Sequence, residues 1–130
     1  MRRQRRGASA LEFALSVTVL LTLMVGIINW AWYLYLLVTL QTAAWEGARL
    51  GAGVSTSGFP TTVAEDRVNE VVAAQGLDQY LVVTVHGTLA QQMSGPELVV
   101  DLTAPFTPPL DFFPMPNQLS VSVATSWYGT

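Results

Sequence analysis

The chain contains no cysteine and no lysine, and only 12% of its 130 residues are charged, about half the share usual in a soluble globular domain. Without cysteine there is neither a disulfide framework nor a thiolate metal site, although an exported domain can fold without either. A single histidine, His86, falls in a strand-like stretch, and no Ser-His-Asp order, metal-ligand cluster or phosphate-binding loop accompanies it. Asp101 and Asp111 are isolated acids with no partner at the spacing that paired carboxylate chemistry needs. These absences argue against an enzyme, a cofactor, a metal and a small-molecule substrate. Low charge combined with 51% hydrophobic residues points instead to a membrane or a large permanent partner.

What charge there is lies unevenly. Arg2, Arg3, Arg5 and Arg6 precede Gly7, and from Ala8 onward only Arg49 and Arg67 stand against nine acids. The body of the chain therefore has no basic stripe for nucleic acid. Directly after the basic leader comes a run from Phe13 to Trp45, 33 residues without charge or proline. A bilayer span needs about 20 such residues, and a cleavable signal peptide has an apolar region of roughly 7 to 15. The run is thus read as a retained helix, with the arginines holding its start in the cytoplasm and the rest of the chain exported.

As a helix the run is also too long for a bilayer, about 50 Å against a hydrocarbon core of about 30 Å. Trp30, Trp32, Tyr33 and Tyr35 cluster where an outer interfacial belt belongs, roughly 33 Å along a helix that starts at Ala8. Leu36 to Trp45 then projects beyond the membrane and needs cover from protein. Glu46 and Arg49 follow at i,i+3 spacing and are expected to form a surface ion pair at the helix end. Gly47 suggests close packing against another element, and Gly51, Gly53 and the STSG stretch end the helix.

Downstream, Thr62-Val63-Ala64-Glu65 has capping-box spacing, and Val68, Val71 and Val72 form an apolar face, so a short helix is expected from about Val63 to Gln75, stopped by Gly76. Gln79–Gly87, Glu97–Thr103 and Gln118–Tyr128 read as strands. In the last, Leu119, Val121, Val123, Thr125 and Trp127 share one side. Five of the seven prolines fall in the connection 104–117, with Phe106, Phe112, Phe113 and Met115. That connection reads as a rigid loop folding its aromatics onto the sheet edge, or as an apolar contact patch for a neighbouring subunit. The fold expected is α+β: residues 8–53 as a long helix, membrane-spanning in its first half, and 54–130 as an exported domain. Three antiparallel strands and one short helix cover the projecting half of the long helix.

The stretch RGASALEF carries the one acid at the start of the apolar run, Glu12. Gly7 followed five residues later by Glu12, then Phe13 and a long apolar helix, resembles the class III leader of type IV pilins and pseudopilins. ALEFAL and TAAWEGARLGA are similar to the TadE-type minor pilins of the Tad (Flp) system. The absence of a helix-kinking proline and of a C-terminal cysteine pair also sets the chain apart from the major type IV pilins.

The resemblance implies cleavage between Gly7 and Ala8 by a prepilin peptidase, removing the leader 1–7, with Glu12 and Phe13 as the processing and assembly motif. It implies other pilins, the Tad inner-membrane assembly platform and membrane lipid as partners, and the inner membrane, with possible passage into an extracellular pilus, as the location. It leaves TadE and its relative TadF both open. Two rival readings are an uncleaved single-span anchor for an envelope-binding domain and a type II secretion pseudopilin, whose leader usually resembles GFTLLE instead.

Overall fold

A computed structural model describes residues 2–93, 95–111 and 114–128, with the side chains of all but residues 2–8 and Thr56. The fold is α+β, with a long helix α1 (Arg2–Ala52), a short helix α2 (Pro60–Ala74), and strands β1 (Thr84–Gln92), β2 (Gly95–Pro105) and β3 (Gln118–Ser126). The strands form one antiparallel sheet in the order β1-β2-β3, a meander. Two compact units result: residues 1–33 with 108–115, and residues 34–107 with 116–130.

In the first unit α1 is apolar on every side, and Leu11, Phe13, Leu15, Val19, Leu20, Leu23 and Ile27 are all more than half exposed. The segment Ser9–Ala52 has a mean hydropathy of 2.3 in its most apolar stretch, none of which is buried within the chain. A helix apolar all round is either buried in a core or in lipid, and this one has no core around it. It is a candidate membrane span by length, composition and exposure. Thr18 and Thr22 return their hydroxyls to the carbonyls of Ala14 and Thr18, at 2.9 and 2.8 Å. Their polar groups are thus satisfied within the helix, as an apolar medium requires.

The second unit starts at Leu34, and there α1 becomes one-sided. Leu36, Leu40, Ala43, Ala44, Ala48 and Ala52 are buried while Val38, Trp45 and Leu50 stay half exposed. The buried stripe is built from small residues because α2 and the sheet approach closely. A Cβ at Gly47 would lie 2.5 Å from Val68 Cγ2 and 2.7 Å from the Ala64 carbonyl oxygen; one at Gly51 would meet Leu98 Cδ2 and the Pro60 carbonyl oxygen, each at 2.6 Å. From α2 the i,i+4 stripe Pro60, Ala64, Val68 and Val72 faces inward. On the sheet, Leu98, Val100, Leu102 and Ala104 of β2 pair with Thr125, Val123, Val121 and Leu119 of β3, a face that is buried along β2 and buried or half-buried along β3.

The end of β3 closes the unit onto the end of α1. The Tyr128 N–H donates to the otherwise orphaned Ala52 carbonyl at 3.0 Å, and Trp127 Nε1 donates to the Val54 carbonyl at 2.8 Å.

Several expectations are corrected. Helix α2 begins at Pro60, with Phe59 in a left-handed conformation (φ 55°) as its N-cap and no side-chain cap, so Thr62–Glu65 is not a capping box. Proline preset for the first helical position moves the start three residues upstream. Glu65 instead accepts the Gly87 N–H of β1 at 2.8 Å. Gly76 does end the helix, at φ 67°. The first strand starts at Thr84 and not Gln79, because Leu77–Gln79 form a 3-10 turn that buries Leu77, with Leu81 buried just after it. Phe106 is 4% exposed in the sheet unit, with its N–H donating to the Asn117 carbonyl, and so is no contact patch. Met115 is half-buried; Phe112 and Phe113 lie outside the described residues.

The seam predicts a contrast between two glycines of one helix. Gly47→Ala should lower the unfolding midpoint in detergent, at a cost of about 1–3 kcal/mol for overpacking. Gly53→Ala, whose added Cβ meets only the Leu50 carbonyl oxygen at 3.7 Å, should not lower it. Circular-dichroism melts of the two variants side by side provide the check.

Candidate functional site

The site is the start of α1. The Gly7–Ala8 bond lies in its helical backbone, while the side chains of residues 2–8 lie outside those described. Glu12 follows about 6 Å along the axis from Ala8, a little over one turn. Its carboxylate is exposed, and among the described residues it makes no hydrogen bond or ion pair. Phe13, beside it, is 71% exposed. No other formal charge occurs on the helix until Glu46.

Below Glu12, Leu15, Ser16, Val19, Leu20 and Leu23 line a shallow, open apolar groove. Glu12, Ser16, Val19 and Leu23 recur at i, i+4, i+7 and i+11, which places the acid at the head of the same helix face. Ser16 lowers the ridge in the middle of that face, a shape that lets a second helix approach closely. The site offers a carboxylate acceptor above a packing groove. It can pair with a cation and a helix. No cluster of three or more His, Cys, Asp or Glu residues able to hold a metal occurs among the described residues.

At the far end of α1 the ion pairing differs from that expected. Among the described residues Arg49 forms no ion pair; Glu46 is taken by Arg67 of α2, with Nη2–Oε2 at 2.9 Å, and Arg67 Nη1 also meets Glu70 at 2.7 Å. Hydrogen bonds to Glu70 first and Glu46 second hold the Arg67 guanidinium above its ordinary pKa. A raised pKa means that the contribution of these pairs is present in full below the ordinary arginine range and lost only as pH rises past it, beyond any physiological window. The i,i+3 spacing carried no information about Arg67, which is brought to Glu46 by the packing of α2. His86, exposed on β1, stands opposite Asp101 of β2 in the sheet register, and among the described residues the two form no ion pair.

Asn29 is a polar residue within the apolar run. It is fully buried, and its Nδ2 donates to the Leu110 carbonyl at 2.6 Å, across 81 positions of the chain. Its Oδ1 has no partner among the described residues. The signal that could have found it is chemical: Ser and Thr hydroxyls can satisfy themselves on their own helix, whereas a carboxamide needs a partner elsewhere.

An apolar helix with a one-sided distal half, closed by a short helix and a three-stranded antiparallel meander, defines an α+β protein with a candidate membrane anchor. Residues 7–49, a third of the chain, match the model of the family described as TadE-like protein, from Gly7 to the end of EGAR. Over this segment the chain is similar to TadE-like proteins of the Tad pilus system. That family is pilus-associated and is not a family of enzymes. No curated protein and no solved structure matches the chain.

Proposed function

We propose that the chain is a minor pilin of a Tad pilus, made as a precursor, cut between Gly7 and Ala8 by a prepilin peptidase, and needed for pilus assembly, adhesion or secretion. The observation that carries this reading is the exposed Glu12, without a partner among the described residues, at the head of an apolar groove and five residues past the glycine where the TadE-like match begins. An acid within a bilayer costs on the order of 2–3 kcal/mol on insertion scales. Cleavage removes four arginines and creates one amine at Ala8. The amine of one subunit offsets the carboxylate of the next, and the pairing sets the stagger between packed helices. The basic leader keeps the uncut N-terminus in the cytoplasm, and the domain beyond α1 is exported. Its partners are then the peptidase, other pilins, the assembly platform in the inner membrane, and lipid.

Two measurements test this. Mass spectrometry of protein extracted from membranes of cells with a prepilin peptidase should find Ala8 as the first residue; an intact Met1 contradicts processing and favours a single-span anchor. Glu12→Ala should be cut normally yet enter pili or pilus-like complexes several-fold less than the parent, read by immunoblot of sheared fractions; unchanged incorporation contradicts the pairing.

A further inference from the structure

The connection between β2 and β3 does something that neither pilus assembly nor sheet formation requires. Residues 108–111 and 114–115 cluster with the first part of α1, up to Tyr33, and not with the strands they join. The point of attachment is Asn29, whose amide holds the Leu110 carbonyl. A buried carboxamide on an apolar helix is costly unless it is bonded, and Asn29 makes its one bond to this loop.

The axial position of that bond matters. Asn29 lies about 32 Å from Ala8 along the helix, at the far edge of a hydrocarbon layer of about 30 Å. Trp30 and Tyr33 pack edge to face beside it, with centroids 5.8 Å apart, and Trp30 remains 49% exposed. Ile27 and Ile28, just before, present the exposed apolar surface of the span.

The chemistry of the loop suits the same level. Pro108, Pro109 and Pro114 have no N–H, so the segment carries few backbone donors that would need water. Leu110 is 41% exposed, Met115 half-buried, and Asp111 the segment's only charge. With no cation in the segment, attraction to anionic headgroups is absent, and contact must come from apolar insertion. A lipid surface fits better than a protein partner, because the exposed apolar atoms continue those of the span at the height of its aromatic belt.

We infer that the loop carrying Leu110 and Met115 is an interfacial foot, latched to α1 by Asn29 and resting in the headgroup region of the leaflet that Trp30 reaches. This rests on α1 spanning the membrane. The foot gives the anchor a second point of contact, which restrains rotation of α1 about its own axis.

The absence of native cysteine allows a direct test in the full chain, reconstituted in phosphatidylcholine vesicles. Single variants Leu110→Cys, Met115→Cys and Leu20→Cys carry an environment-sensitive fluorophore, read with nitroxide lipids labelled near the headgroup or deep in the chain. The labels at 110 and 115 should be quenched by the shallow nitroxide several-fold more than by the deep one, and the label at 20 in the opposite order. Adding Asn29→Leu should abolish most of the shallow quenching at 115 while leaving that at 20 unchanged. Quenching at 20 with none at 110 and 115 overturns the foot alone; no quenching at 20 overturns the span and the foot with it. Protection of 110 and 115 from aqueous iodide without lipid quenching assigns the loop to a protein partner and overturns the proposal. Full quenching at 115 in the Asn29→Leu background overturns the latch.

Discussion

One unbroken helix has to satisfy two media, and most of the structure follows from that constraint. From Phe13 to Ile28, α1 carries apolar side chains on all sides and keeps the Thr18 and Thr22 hydroxyls bonded to its own backbone. From Leu34 the same helix faces water on one side, and a continuous apolar surface there would be an aggregation hazard. The chain answers with small residues. Ala43, Ala44, Gly47, Ala48, Gly51 and Ala52 make a low stripe on which α2 and β2 settle at near-backbone distance. The glycines cost helix propensity of about 1 kcal/mol each, and the close packing they permit offsets it.

From that seam the remaining contacts can be ordered. Seating α2 on Gly47 and Gly51 brings Arg67 to Glu46 and Glu65 to the Gly87 N–H. Gly87 also sits close to α2: a Cβ there would lie 3.1 Å from Thr61 backbone and side-chain atoms, less tight than at Gly47. The sheet then buries a single face, and Trp127 and Tyr128 return to the end of α1 to bond carbonyls that the helix cannot use itself. The long helix thus provides both the surface and the terminus on which the rest is built.

How much of this was legible in the sequence depended on whether the signal was local. The apolar run and the alternation in β2 and β3 extend over many residues, and they placed the helix and two strands correctly. The first strand was misplaced because Tyr80–Val83 is apolar and β-branched like a strand, yet Leu77 and Leu81 are drawn into the core and bend the chain first. Glu46 was paired with Arg49 because they are neighbours in sequence; tertiary packing of α2 gave it Arg67 instead. Glu65 was read as a cap and serves as a tether. Of the candidate site, Glu12 and the glycine before it were visible as a charge in the wrong medium. Asn29 was not, because its meaning lies in a loop 81 residues away.

The division of α1 into a lipid-facing and a one-sided segment is tested most directly by cysteine accessibility along its length. Single cysteines from Phe13 to Leu50 can be challenged in intact spheroplasts with a membrane-impermeant maleimide. Positions 13–28 should be unreactive on every side. Beyond Leu34, Val38 and Trp45 should react while Leu40 and Ala44 do not. Reactivity with a helical period between 13 and 28, or uniform reactivity around the helix beyond 34, would contradict the account.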